Sequence, residues 1–123
     1  MPERDDPGQV VAREILLRTM TVTRMSRDAA RALAETMTEA RFEPGEDLYR
    51  QGQAPDHFYF VITGEVALTV DGAAPWVFRD RAVIGVLDVT QDRPRARTAT
   101  AVTAVRALRV SADDWREILE ENF

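Results

Sequence analysis

Cysteine and lysine are absent from the sequence, and His57 is its single histidine. Without cysteine the chain can form no disulfide and offers no thiolate to a metal. That composition is typical of a reducing compartment, so we expect a cytoplasmic protein. A metal-dependent β-barrel enzyme needs several histidine or carboxylate ligands at one point, so a single histidine predicts no metal site. All 16 basic residues are arginine, and we attribute this bias to the base composition of the gene rather than to a ligand.

Long apolar runs and a basic charge balance are also lacking. No segment approaches the roughly 20 apolar residues of a membrane-spanning helix, and residues 1–9 (MPERDDPGQ) are too polar and acidic for a signal or transit peptide. The net charge of −5 argues against a nucleic-acid partner, which would require a basic surface. No phosphate-gripping loop, metal motif or Ser/His/Asp arrangement is present. We therefore predict no catalytic residues, no nucleic-acid binding through this domain and no membrane insertion.

The length of 123 residues fits one domain with a substantial core. Residues 1–9 contain two prolines and a glycine, and we predict a flexible lead-in there, followed by a single domain over 10–123. Apolar residues at helical spacing predict two helices within about 10–39. The second helix should begin at Ser26, a good N-cap, and run to about Glu39.

Residues from about 40 to 110 change to a strand pattern. Short runs rich in β-branched and aromatic residues alternate with glycine turns, of which Gly64 is one, and a single helical turn is predicted at 85–90. Strands are predicted at 47–50, 57–63, 65–71, 76–78, 82–84, 98–102 and 105–110. A C-terminal helix over about 111–122, capped by Ser111, should follow. The predicted fold class is mainly β with flanking helices, a double-stranded β-helix or jelly roll.

Two motifs and the C-terminal segment together resemble a known family. The motifs are F-x-P-G-E-x-L at 42–48, followed by Q-G at 51–52, and D-x-F-Y-F-V-I-x-G-E-V at 56–66. The segment 104–122 adds a final strand and helix with the aromatic residue Trp115. This pattern resembles the cyclic-nucleotide-binding domain, the β-roll of catabolite activator-type regulators, kinase regulatory subunits and cyclic-nucleotide-gated channels. The likeness covers most of the chain and implies a jelly roll of that type.

The resemblance also implies a ligand site in the segment 84–101 (IGVLDVTQDRPRARTATA), which we call the cassette because it aligns without a gap to the family's phosphate-binding cassette. The implied ligand is cAMP or cGMP, and no other cofactor is implied. The cassette residues expected to contact it are Gly85, Val86, Leu87, Asp88, Arg95, Ala96 and Thr98. Among them, Arg95 resembles the arginine that neutralises the cyclic phosphate, and the backbone N–H of Ala96 would assist it.

Two of these positions depart from the family pattern. Val86 stands where the family has a glutamate that accepts a hydrogen bond from the ribose, which valine cannot do. Losing a hydrogen bond to a charged group lowers affinity by about one to two decades. Asp88 stands where the family has a small alanine, and its carboxylate would repel the phosphate if it points inward. Arg95 is then either a phosphate ligand or a loop arginine that is solvated or paired with Asp88.

Three further features weaken the match to a complete ligand site. Arg97 replaces a small residue and adds bulk and charge near the pocket, and Arg81 replaces a turn glycine just before the cassette. The given sequence ends at Phe123, where the helix that covers the base would begin, so that helix either lies in a longer parent protein or is lacking. The run of Arg93, Arg95 and Arg97 is interpreted as a solvated face in preference to an anion patch.

The sequence therefore predicts a non-enzymatic regulatory or sensor module of this family in which binding of cAMP or cGMP is weakened or lost. A first alternative is a functional cAMP- or cGMP-binding domain that relies on Arg95 and backbone amides. A second alternative is a protein-interaction appendage of a larger protein, with a protein partner or further domains of that chain docked on its helices.

Overall fold

The structure is a computed structural model that describes residues 26–71, 73–79 and 81–122. The predicted flexible lead-in and first helix lie outside the described residues. The described elements are α1 (Arg27–Thr36), β1 (Thr38–Phe42), β2 (Asp47–Tyr49), β3 (His57–Thr63), β4 (Val66–Thr69), β5 (Trp76–Phe78), β6 (Val83–Ile84), α2 (Val86–Gln91), β7 (Thr98–Ala101), β8 (Val105–Ser111) and α3 (Ala112–Asn122). This order confirms the prediction of a mainly β fold with flanking helices. None of the helices in these ranges is long and apolar enough to cross a bilayer.

Helix α1 begins as predicted and ends earlier than predicted. The hydroxyl of Ser26 accepts a hydrogen bond from the Ala29 N–H at 3.1 Å, so Ser26 is the N-cap. The predicted extension to Glu39 is wrong, because the chain leaves the helix at Thr36 and forms β1 instead. All five β1 residues pair antiparallel with β8. The ladder hydrogen bonds of that pairing override the local preference of this segment for helix.

The eight described strands form two four-stranded antiparallel sheets. One sheet has the order β1-β8-β3-β6 and the other the order β2-β7-β4-β5. Consecutive strands often lie in different sheets, which is the arrangement expected of a jelly roll. Strands β4 and β5 pair antiparallel, with Leu68 opposite Trp76, and β4 ends at Thr69 rather than at the predicted residue 71.

Strand β3 is buried on both faces and joins the two halves of the core. Tyr59 and Val61 belong to the cluster between the two sheets. Phe58 and Phe60 belong to a second cluster, formed by the outer face of the first sheet against α1 and α3. This double burial explains why the sequence HFYFVIT shows no polar alternation before its last residue.

The turn between β3 and β4 requires glycine at Gly64. This residue has φ +106°, and a Cβ built on it would lie 2.4 Å from the backbone oxygen of Ala104. Backbone oxygen cannot move out of the way as a flexible side chain can. The turn therefore depends on the absence of a side chain, as well as on the freedom of glycine to adopt positive φ.

Helix α3 holds the short helix α2 at two points. The indole N–H of Trp115 donates to the Thr90 hydroxyl at 3.2 Å, and the guanidinium of Arg116 lies 3.0 Å from the carboxylate of Asp92, the C-cap of α2. The ring of Trp115 also packs edge-on against Phe58 with the ring centroids 5.2 Å apart. Through these contacts α3 ties the cassette to the start of β3.

Candidate functional site

The cassette borders a cavity of about 190 Å³ between its helix and the sheet that contains β2 and β4. We call it the cassette cavity. Its lining residues are Tyr49, Leu68, Val83, Gly85, Val86, Leu87, Asp88, Arg93, Ala96 and Arg97. Five of the seven residues that the sequence singled out are thus brought together. Arg95 and Thr98, the other two, are not among the lining residues.

Helix α2 enters the site through a glycine that no other residue could replace without strain. Gly85 is its N-cap and has φ +88°. A Cβ on Gly85 would lie 2.7 Å from Nη1 of Arg95 and 3.0 Å from the ring of Tyr49. The positive φ and the close approach of two side chains both require glycine here.

Arg95 is buried, and its guanidinium is bound by the protein itself. The side chain is only 3% exposed. Nη1 donates to the Gly85 carbonyl at 2.9 Å, and Nη2 donates to the His57 carbonyl. The guanidinium also lies over the ring of Tyr49, 4.0 Å from its centroid. The interpretation of Arg95 as a solvated loop arginine is therefore wrong. Its Nε has no hydrogen-bond partner among the described residues.

Asp88 points inward and forms ion pairs with two arginines. The residue is 7% exposed, and it lines the cavity. One carboxylate oxygen accepts from Nε of Arg93 at 2.8 Å, and the other lies 3.9 Å from Nη1 of Arg95. The two alternatives for Asp88, an inward carboxylate and an ion pair with Arg95, therefore hold at the same time.

Three other cassette residues differ in what they offer a ligand. Val86 lines the cavity with an aliphatic side chain, so it presents no acceptor to a hydroxyl. Thr98 instead supports the turn that follows β2, because its hydroxyl accepts a hydrogen bond from the Gln51 N–H at 2.9 Å. Leu87 is 55% exposed at the mouth of the site.

The run of arginines in the cassette is not a uniform solvated face. Arg95 is buried, whereas Arg93 and Arg97 line the cavity. Sequence patterns provided no direct signal for Tyr49, a further lining residue that we did not single out. Tyr49 and its neighbour Leu48 are both buried in the three-residue strand β2, so alternation along this strand does not single out Tyr49.

Burial controls the protonation of the aromatic groups around the site. Desolvation raises the pKa of the Tyr49 phenol to about 12, so the phenol remains a neutral hydrogen-bonding group. Burial is also the main cause that lowers the pKa of His57, and the positive charges of Arg109 and Arg95 act in the same direction, against Asp56. In the parts of the chain that the structure describes, no cluster of three potential metal ligands occurs.

Comparison with known proteins gives a consistent family. Residues 39–122 match the family model of the cyclic nucleotide-binding domain. The chain is 30% identical over 89 residues to the cAMP-dependent protein kinase regulatory subunit of Yarrowia lipolytica, an alignment that covers 71% of this chain and 24% of that protein. It is 29% identical over 101 residues to a potassium channel of Oryza sativa, covering 78% of this chain and 12% of the channel. The chain thus spans a quarter or less of the length of these relatives.

Solved structures show the same fold. The regulatory domain of Toxoplasma gondii protein kinase A with cAMP superposes with a TM-score of 0.81 at 18% identity, covering 91% of this chain and 46% of that chain. A triple mutant of the regulatory subunit of a cAMP-independent protein kinase A from Trypanosoma brucei, bound to cAMP in its A site, gives a TM-score of 0.83 at 18% identity, with coverages of 94% and 44%.

Proposed function

Because this chain belongs to the family of cyclic nucleotide-binding domains, we propose that it is a non-enzymatic regulatory module in which binding of cAMP and cGMP is weakened or lost. The observation that carries this proposal is the buried carboxylate of Asp88, which faces the cassette cavity and is paired with Arg93. The negatively charged side chain of Asp88 therefore lies where the phosphate of a bound nucleotide would have to lie. We also propose that the module works within a larger cytoplasmic protein or with a protein partner.

Electrostatics supports a large effect of Asp88. A phosphate that approached Arg95 would lie a few ångströms from the Asp88 carboxylate. Two like charges about 4 Å apart repel by about 1 kcal/mol in water and by about 4 kcal/mol at the effective dielectric of a protein surface. The repulsion is partly offset by Arg93, whose side chain is nearly half exposed and can follow the carboxylate. An affinity lowered by one decade or more is the expected result.

The hydrogen bonds that Arg95 already forms within the protein should also lower the affinity for a phosphate. Two backbone carbonyls already accept hydrogen bonds from its terminal nitrogens. A phosphate would have to replace or share these bonds, and the Gly85 and His57 carbonyls would then need other donors. Val86 removes a third contact, since the ribose finds no acceptor there.

The trypanosome variant supports the assignment to Asp88. Its three substitutions replace a glutamate by alanine, a threonine by arginine seven residues later and a valine by alanine at the next position, and the variant holds cAMP. Asp88, Arg95 and Ala96 have the same spacing in this chain. The chain thus has the arginine and the second alanine of that variant, together with an acidic residue at the spacing of its first alanine.

A titration with cAMP and cGMP by calorimetry tests the proposal. We expect Asp88→Ala to raise the affinity about tenfold or more, and Val86→Glu to raise it by about one to two decades. Asp88→Asn removes the charge with little change of shape and guards against a local collapse. Asp113→Ala is the matched control, because Asp113 is a fully solvated aspartate paired with Arg116 on α3, and it should leave the affinity unchanged.

A functional cAMP- or cGMP-binding domain that relies on Arg95 and backbone amides is the second candidate. One observation favours it, namely the buried Nε of Arg95 without a partner among the described residues, which is a donor available to a phosphate oxygen. Submicromolar affinity of the natural chain for either nucleotide, lost in Arg95→Lys, would establish this candidate and reject the weakened site.

A further inference from the structure

The three arginines of the cassette differ in whether they are free to meet a ligand. Arg95 is buried, is bound by backbone carbonyls and does not line the cavity. Arg93 lines the cavity, but its Nε is committed to Asp88 at 2.8 Å. Arg97 also lines the cavity and forms no ion pair with any carboxylate in the described part of the chain. An anion that entered this cavity would therefore meet the positive charge of Arg97, which no described carboxylate offsets.

An aromatic ring fixes the position of Arg97. Its guanidinium carbon lies 4.4 Å from the ring centroid of Trp76 on β5. Trp76 is directly opposite Leu68 in the pairing of β4 with β5, so the two side chains share one face of the sheet. Leu68 lines the cassette cavity, which places Trp76 at its rim. Trp76 is nevertheless 58% exposed, an unusual position for tryptophan that stacking on Arg97 explains.

Stacking leaves the hydrogen-bonding edge of Arg97 available. A guanidinium above an aromatic ring contacts the ring with one face, and its N–H groups point outward in the plane of the guanidinium. Those N–H groups form the fork that matches a phosphate or carboxylate with two parallel hydrogen bonds. Ordering by Trp76 also reduces the side-chain entropy that Arg97 would lose when a ligand binds.

We propose that Arg97, positioned by Trp76, is the arginine that contacts an anionic ligand in the cassette cavity, so that the anion subsite lies at the rim and not at Arg95. The ligand class is a phosphate or phosphate ester, which would meet an arginine that forms no ion pair with a described carboxylate. This inference rests on the proposed function because it concerns the same cavity, and it names the residue on which the remaining affinity depends.

An NMR titration of the full chain tests the proposal directly. Inorganic phosphate, cAMP and adenosine serve as probes, since adenosine carries the base and ribose without the phosphate. Phosphate and cAMP should shift the Trp76 indole signal and the Arg97 Nε signal at millimolar concentrations, and adenosine should not. Arg97→Ala should weaken phosphate binding about tenfold or more. Arg106→Ala is the matched control and should change nothing, because Arg106 lies on β8 in the sheet that does not contain β4 and β5, and it is paired with Glu39 on β1.

Variants of Trp76 separate positioning from general packing. Trp76→Leu should weaken phosphate binding about two- to fivefold because the cation–π contact is lost, and Trp76→Phe should retain most of the affinity. Equal losses in the two variants would reject the positioning role. The side chain is more than half exposed, so neither substitution should unfold the domain, and the dispersion of the spectrum verifies this.

The failure of this inference differs from the failure of the proposed function. Millimolar phosphate that leaves both signals unmoved, or an affinity equal in Arg97→Ala and the natural chain, overturns the role of Arg97 while Asp88 can still weaken the site. Submicromolar binding of cAMP that depends on Arg97 overturns the weakened site and retains the rim subsite. A dependence on Arg95 alone, measured with Arg95→Lys, rejects the rim subsite.

Discussion

The β-roll and the cassette bury different kinds of groups. Within the described residues, the roll and its helices bury aliphatic and aromatic side chains, whereas the only buried charged side chains, Asp88 and Arg95, both belong to the cassette. Apolar burial is non-directional and spread over many residues, so it tolerates change at any one of them. Buried charges depend on a few directed contacts, and removing one partner leaves the other unsatisfied. The scaffold can therefore persist while single substitutions alter the site.

Two glycines, one in the roll and one in the cassette, also differ in the kind of neighbour that requires them. Gly64 and Gly85 both have positive φ, and a Cβ on either would collide with a neighbour. At Gly64 the neighbour is the backbone oxygen of Ala104, which belongs to the roll. At Gly85 the neighbours are the side chains of Arg95 and Tyr49, which belong to the site. Gly64 is thus required for the backbone packing of the roll, whereas Gly85 is required for the position of the Arg95 side chain.

Substitution of Gly64 should have the largest effect on stability. Gly64→Ala combines an unfavourable φ with an overlap against fixed backbone, so we expect the free energy of unfolding to fall by about 3 kcal/mol or more. Gly45→Ala is the matched control, because Gly45 has φ +89° but nothing within 4 Å of its Cβ position. Its loss should be about 1–2 kcal/mol. Urea denaturation followed by circular dichroism measures both, and equal losses would contradict the role assigned to Ala104.

Removal of the buried guanidinium comes next. Arg95→Met should lower the free energy of unfolding by about 2–3 kcal/mol, since the Gly85 and His57 carbonyls lose their donor and Asp88 loses one of its two ion-pair partners. The double variant Arg95→Met with Asp88→Ala should lose less than the sum of the single variants, by about 0.5 kcal/mol or more. Strict additivity in the same denaturation experiment would show that the two charges are not coupled.

Removal of the N-cap of α3 should have a smaller effect on stability and no effect on the site. Ser111 accepts a hydrogen bond from the Asp114 N–H at 3.1 Å, as the sequence predicted, whereas α2 begins at Gly85 with no side-chain cap. Ser111→Ala should cost about 1 kcal/mol of stability, and Ser111→Asp should restore most of it. Neither variant should change the affinity for phosphate in the titration, since Ser111 does not line the cassette cavity.

The smallest predicted effect is the pH dependence that arises from His57. Its pKa in the folded protein is below the ordinary 6.5, chiefly because of burial. The unfolded chain therefore binds more protons than the folded protein as pH falls below 6.5, and stability decreases from there down to the folded pKa. His57→Gln should flatten the part of the profile that lies below about pH 6.5. As the single histidine, His57 also gives one NMR titration curve, and a midpoint above 6.5 would contradict the direction.

The fold could be predicted from the sequence because its signals are local. Glycine turns such as Gly64, the apolar run of β3 and the cap at Ser111 each act within a few residues. Strand β1 was missed, since residues 38–42 (TEARF) have no strong strand preference and become a strand only by pairing with β8, more than 60 positions away along the chain.

The site could be predicted in position but not in orientation. The alignment of the cassette predicted that Gly85, Val86 and Asp88 contact a ligand, and all three line the cassette cavity. The direction of the Asp88 side chain and the burial of Arg95 were not accessible, because the contacts that decide them come from other parts of the chain. One of these is the His57 carbonyl, 38 residues away from Arg95. The pairing of Arg97 with Trp76 is equally non-local.

The attachment of α3 to α2 has a mechanical consequence for the cassette. Arg95 grips the His57 carbonyl, the next residue Phe58 packs on Trp115, and Trp115 holds Thr90, which lies in the cassette again. This chain of contacts begins and ends in the cassette, at Arg95 and at Thr90. A load on α3 reaches the cassette at two separate anchors, so the cassette cannot swing like a flap hinged at one end. Displacement of the whole cassette would therefore break the contacts at both anchors.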